Sequence, residues 1–152
     1  MPRFSVIIPI KPGFVPLALQ RFSRGNWPTE GVELLVAKGR APSSQRNLAA
    51  QMAQGSILYF IDDDSLVPED RLTRLAELME DPTIVAVGGP SLTPESDSLL
   101  QRTIGVLLGS RIGAGAVRAR YCSCGVLRDS SEQELILCNL AIRRDAFLAL
   151  GG

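Results

Sequence analysis

Five consecutive apolar residues, Ile57-Leu58-Tyr59-Phe60-Ile61, run directly into three carboxylates, Asp62-Asp63-Asp64. The apolar run contains neither Gly nor Pro and reads as a strand buried on both faces, the kind that occupies the middle of a parallel sheet. Three adjacent anions repel one another and stay ionised most easily beside a cation or a helix N-terminus. In an open parallel sheet, ligands bind at the carboxyl ends of the strands, which is where this triplet falls. The alternative is an acidic, solvated turn capping a following helix, with Asp64 as the cap before Ser65-Leu66-Val67-Pro68. Burial of the preceding strand favours a ligand site, because it delivers the triplet to a fixed place on the sheet.

The rest of the chain supplies partners for that strand. Phe4–Ile8 reads as a first buried strand, ending at Pro9. The following loop, with Pro9, Pro12 and Gly13, is stiff and non-helical, and Lys11 in it is either a ligand group or a solvated surface lysine. A short helix is expected within residues 15–22 and a turn at Asn26-Trp27-Pro28. Residues 32–37 form a second strand that ends at Lys38-Gly39-Arg40. Ser43 or Ser44 is placed to cap a helix over residues 45–54, with Leu48, Ala49, Met52 and Ala53 as its apolar face and Gly55 as its stop. Arg46 falls in its first turn, where a cation opposes the helix dipole, so a functional reason for it is expected. Pro68, Glu69 and Asp70 open a further helix lined by Leu72, Leu75, Leu78 and Met79, and Asp81-Pro82 stops it. Ile84–Val87 reads as a fourth strand. The strand–helix alternation predicts right-handed crossovers and one mainly parallel sheet flanked by helices.

Beyond residue 90 the pattern changes. An amphipathic helix is expected over residues 99–108. Gly105, Gly109, Gly113 and Gly115 then loosen an uncharged stretch that reads either as a loop packed on the sheet or as a lid facing an acceptor or a membrane surface. Tyr121–Cys124 and Leu135–Cys138 read as strands, and residues 144–150 as a helix closed by Gly151. The chain is expected to form one domain in two halves, residues 1–90 and 91–152.

Composition limits the chemistry. The 152 residues hold 16 basic and 16 acidic side chains, so no global field argues for nucleic acid. No histidine is present, which removes imidazole bases and ligands. Cys122, Cys124 and Cys138 lack zinc-site spacing and are expected to be reduced, buried thiols. No apolar run reaches the roughly 20 residues that span a bilayer, and Met1-Pro2-Arg3 leads straight into a strand, so a cytoplasmic compartment is expected.

Four segments together resemble family 2 glycosyltransferases: Ser5-Val6-Ile7-Ile8-Pro9, the run Pro42-Ser43-Ser44-Gln45-Arg46-Asn47-Leu48-Ala49, Tyr59-Phe60-Ile61-Asp62-Asp63-Asp64, and Cys138–Phe147 running into Gly151-Gly152. The acidic motif alone is common by chance, but four segments in order at believable spacing are specific. The resemblance implies a GT-A type α/β fold, with residues 1–90 as a nucleotide-sugar-binding half and 91–152 as an incomplete acceptor-side half. It also implies transfer of a sugar, with inversion, from a nucleotide-diphosphate donor to a saccharide or lipid-linked acceptor. Asp62-x-Asp64 matches the family's Asp-x-Asp motif. It implies that Asp64 holds Mg²⁺ or Mn²⁺, that Asp62 lies near the ribose and the metal shell, and that Asp63 is part of the donor site. Pro9, Ile10, Lys11, Lys38 and Arg46 would line the nucleotide by the same resemblance. Two departures stand out. Many relatives end the second strand with an acidic pair that grips the base, where this chain has Ala37-Lys38-Gly39-Arg40. The family's catalytic base follows the Gly-Gly position, and no residue of 1–152 matches it. A truncated domain is therefore expected, with little transfer activity alone and an apolar surface where further chain packs. Peripheral association with the inner face of a membrane follows from a lipid-linked acceptor. Two other functions use the same carboxylates: a nucleotide-sugar-binding module without catalysis, and a Mg²⁺-dependent nucleotidyl or phosphoryl transferase.

Overall fold

The computed structural model describes residues 3–22 and 31–152, with only the backbone described at residues 20–22. The turn expected at Asn26-Trp27-Pro28 lies outside the described residues. Two compact units are present, residues 1–87 with 140–152, and residues 88–139.

The first unit is built on a sheet of five strands in the order β2-β1-β3-β5-β4: β1 (Phe4–Ile10), β2 (Val32–Lys38), β3 (Ile57–Ile61), β4 (Ala86–Gly88) and β5 (Asn139–Arg143). β1 is parallel to both neighbours, in register Val6↔Leu34 with β2 and Val6↔Tyr59 with β3. All four expected strands share this one sheet, although β4 is shorter and later than Ile84–Val87. The bonds Gly89 N to Asn139 O and Arg143 N to Val85 O run in the antiparallel pattern between the β4 and β5 segments, so the sheet is mixed.

β1 and β3 are buried along their whole length because both faces are covered. Phe4, Val6, Ile8 and Ile10 join Ile57, Tyr59 and Ile61 on one face, packed with Ala18 from α1 (Leu17–Phe22) and Leu72 and Leu75 from α3 (Arg71–Leu78). Ile7, Leu58 and Phe60 point to the other face. They meet Ala49 and Ala50 of α2 (Pro42–Met52) and Phe147 of α6 (Arg144–Ala149). The Phe60 and Phe147 rings lie 4.9 Å apart. Strict two-residue alternation thus feeds two cores from one strand.

The lower end of the sheet is tied by Glu33. Its Oε1 accepts from the Ser5 hydroxyl and from the backbone N–H groups of Gln54 (2.5 Å) and Gly55 (3.0 Å). Partial burial pushes the Glu33 carboxyl up, but these three donors and the nearby Arg144 outweigh it and hold it below the usual carboxylate range.

Several expectations are corrected. Pro9 and Ile10 belong to β1 rather than to a loop. The ladder to β3 ends at the Ile7↔Phe60 pair, so at Pro9 the strand keeps only its β2 neighbour. α2 starts at Pro42 with Ala41 as N-cap, and no side-chain cap is made, so Ser43 and Ser44 lie inside the first turn. Its buried face is Ala49 and Ala50, with Ala53 beyond its end, while Leu48 and Met52 are exposed. Small side chains let the helix lie close to the sheet.

In the second unit, α4 (Leu99–Gly109) begins at a capping box between Ser98 and Gln101. The glycine-spaced stretch is helical, as α5 (Arg111–Ala114) and a 3₁₀ segment over Gly115–Arg120. Tyr121–Cys124 is not a strand: the N–H groups of Tyr121 and Cys122 both bond back to Arg118 O as the 3₁₀ segment ends. Leu135–Cys138 is not one either, since Leu135 N bonds to Ser131 O and Asn139 N to Ile136 O in successive turns. The strand is the next segment, Asn139–Arg143, whose central three residues are buried. The cysteines form no disulfide with one another, but Cys124 is exposed and Cys122 and Cys138 are half-buried, because they lie in turns rather than in a packed strand.

Candidate donor site at the carboxyl ends of three strands

Because β1, β2 and β3 are parallel, their carboxyl ends meet along one edge of the first unit. Lys11, Lys38 and Asp62-Asp63-Asp64 all follow directly on those strand ends or close them. Lys11 and Lys38 are exposed, and Lys38 is level with Ile10 in the β1–β2 register. Ile10 itself is buried in the core and Pro9 is buried in the strand. These two can line the edge only through their backbone.

The triplet is a tight turn. Ser65 N bonds to Asp62 O at 3.2 Å, and Asp62 N donates to the Ser65 hydroxyl at 3.1 Å. The Asp63 carbonyl accepts from Ala18 N at 3.1 Å, which pins the turn to the start of α1. The helix-cap alternative fails, because α3 begins only at Arg71, with Asp70 preceding it.

α2 brings two side chains to this edge. Arg46 Nη2 donates to Asp62 Oδ1 at 2.7 Å, with the arginine 14% and the aspartate 41% exposed. The cation expected near the triplet is therefore Arg46, and the pair explains why a basic residue is tolerated early in a helix. Arg46 Nε is buried without a hydrogen-bond partner among the described residues, a donor left over for an anionic ligand. The second side chain is Gln45, which the residue-by-residue reading missed. It is buried and donates from Nε2 to Ile10 O at 3.0 Å and also to Ala37 O. One amide thus joins the ends of β1 and β2 just below Lys11 and Lys38. The only signal for it was its place beside Arg46 in the Pro42–Ala49 run. An apolar groove of about 240 Å³ runs from Lys38 and Gln45 down between β2 and α2 to Leu48 and Met52, away from the acidic edge.

Hard divalent ions bind carboxylate oxygens together with substrate phosphates and seldom need a cage made entirely of protein. The Asp64 carboxylate is exposed and makes no hydrogen bond or ion pair among the described residues. Asp62 has one oxygen committed to Arg46. No group of three or more His, Cys, Asp or Glu side chains suited to a metal gathers among the described residues. Such a donor set fits an ion shared with a ligand's phosphates and does not fit a closed protein site.

No curated protein matches the chain. Among solved structures, the mannosyltransferase PcManGT from Pyrobaculum calidifontis, in complex with GDP-Man and Mn²⁺, superposes with a TM-score of 0.63 at 18% identity. The match covers 99% of this chain and 47% of that one, so the chain spans about half the length of its structural relative. At that identity the likeness establishes the GT-A type fold. The family model described as Glycosyl transferase family 2 matches residues 20–147, most of the chain, including β2, α2 and β3 of the acidic edge but not β1. The chain belongs to glycosyl transferase family 2.

Proposed function

We propose that this chain is the nucleotide-sugar-binding part of an inverting glycosyltransferase, with the donor diphosphate held at the β1–β2–β3 edge. The observation that carries the reading is the Arg46–Asp62 pair beside an Asp64 carboxylate with no partner among the described residues. Asp64, with Asp62, would hold Mg²⁺ or Mn²⁺ shared with the donor's phosphates. When bound, the ion neutralises charge that builds on the departing diphosphate.

The protein's own residues then have separable tasks. Arg46 fixes the Asp62 carboxylate in one orientation and keeps its free Nε for the anionic donor. Gln45 holds the two strand ends that present Lys11 and Lys38, so these cations face the nucleotide from fixed positions. Asp63 ties the turn to α1 through its carbonyl. With the donor held this way, an acceptor hydroxyl attacks the anomeric carbon and the nucleoside diphosphate leaves, inverting that centre. No base for the hydroxyl is assigned among the described residues. The cationic ends of β1 and β2, in place of an acidic pair, offer donors to carbonyl oxygens or ring nitrogens of the base.

The test is calorimetric titration of a panel of nucleotide-sugars, including GDP-mannose and UDP-glucose, with and without Mn²⁺. Metal-dependent binding of at least one member is expected. Binding of nucleoside triphosphates alone, with no nucleotide-sugar bound, would refute the reading in favour of nucleotidyl transfer.

A further inference from the structure

In the second unit, α4 packs with the wrong face inward by the usual rule. A Cβ at Gly105 would lie 2.2 Å from the Thr93 hydroxyl oxygen, and one at Gly109 would lie 3.2 Å from Cys122 Cβ. Its glycine side therefore sits against the unit. At about 100° per residue, Val106, Leu99, Leu107, Leu100 and Ile104 fall on the opposite side, within an arc of roughly 160°. All five are exposed, Val106 at 76%, and Ile112 of the adjoining α5 is 94% exposed. The bulky side chains of this helix face solvent while its smallest residues make the packing contacts.

The same segment carries charge of one sign. Residues 98–128 include Arg102, Arg111, Arg118, Arg120 and Arg128 and no Asp or Glu. Of these five arginines, only Arg128 has a carboxylate partner among the described residues, Glu134. Arg102 and Arg111 are exposed, and Arg102 borders the apolar arc.

We infer that α4 and α5 form a docking surface for an anionic lipid bilayer, lying in the interface plane. An apolar arc bordered by unpaired arginines matches the two attractions such a surface offers, apolar burial at the acyl boundary and charge at the headgroups. A second copy of the chain is disfavoured as occupant, because apposing two such faces brings like charges together. Eleven residues rise about 16 Å, half of a bilayer core, so the helix lies on the membrane, and no helix among the described residues is long and apolar enough to cross one.

The experiment is vesicle flotation of the whole chain with phosphatidylcholine alone and with phosphatidylcholine mixed with phosphatidylglycerol. The expected result is binding to the mixed vesicles about tenfold stronger than to neutral ones, weakened by salt. The double variant Val106→Asp/Ile112→Asp should lose about tenfold in binding to the mixed vesicles. Arg102→Glu/Arg111→Glu should lose the preference for anionic lipid. Leu48→Asp, an exposed leucine on α2, should change nothing. Melting curves without lipid should match the parent, since all these side chains face solvent. The inference is overturned by absence of binding to either vesicle or by equal binding to both. It is also overturned by an equal loss in Leu48→Asp, or by a self-association that Val106→Asp abolishes without any lipid binding.

Discussion

Removing the Arg46 guanidinium tests how the acidic edge is assembled. The bond from Nη2 to Asp62 Oδ1 is 2.7 Å, which puts the charge centres about 4 Å apart. Coulomb attraction at that separation is about 4 kcal/mol at an effective dielectric of 20 and about 1 kcal/mol in water. Asp62 is 41% exposed and Arg46 is 14% exposed, so the coupling lies toward the lower figure, at about 1–2 kcal/mol. A double-mutant cycle of Arg46→Met and Asp62→Asn, followed by urea unfolding, should return that coupling. Arg46→Met alone should also weaken nucleoside diphosphate binding, because the variant loses the free Nε and unfixes the Asp62 carboxylate. A coupling below about 0.3 kcal/mol with unchanged ligand affinity would show that the pair neither builds nor serves the edge.

Two further perturbations probe the scaffold. The lowered carboxyl of Glu33 adds stability that is fully present above the ordinary glutamate range and is lost as pH falls through the lowered folded value. Glu33→Gln should therefore destabilise by about 1 kcal/mol at neutral pH and make the melting temperature less sensitive to acid, as read from melts between neutral and acidic buffers. At Gly55 an added Cβ would meet Ser5 Oγ at 2.6 Å and the Phe4 carbonyl carbon at 2.7 Å. Because backbone cannot yield there, Gly55→Ala should cost about 3 kcal/mol or more, against under about 1 kcal/mol for a helix-surface control such as Gln51→Ala, in the same unfolding assay.

What was legible from the sequence was whatever local chemistry decides. β1 and β3 announce themselves as unbroken apolar runs because both faces are covered, and the triplet follows from where β3 must end. Arg46 stood out as a cation in the wrong place on a helix, and Asp62 is the reason. Helix orientation was harder. On α2 the inward face was read as Leu48, Ala49, Met52 and Ala53; Ala49 and Ala53 are buried with Ala50, whereas Leu48 and Met52 are exposed. On α4 the glycines face inward and the leucines outward. In both helices close approach of backbones decides the face, and side-chain bulk does not report it. The alternation in Tyr121–Cys124 imitated a strand, but the preceding 3₁₀ segment continues into it and satisfies its N–H groups locally. Gln45 was invisible as a positioning group because its two carbonyl partners lie 35 and 8 residues away.

The measurement closest to the central claim is the titration of a nucleoside diphosphate with Mn²⁺ into the parent and into Asp64→Asn, Asp62→Asn and Asp63→Asn, alongside melting curves. Asp64→Asn keeps the shape of an exposed side chain with no partner among the described residues, so folding should be untouched while Mn²⁺-dependent affinity falls at least about tenfold, or ~1.4 kcal/mol. Asp62→Asn should weaken binding as well, and Asp63→Asn, whose carbonyl makes the contact to α1, should do so least. Unchanged Mn²⁺-dependent affinity in Asp64→Asn would mean that the triplet is only a turn and that the donor is held elsewhere.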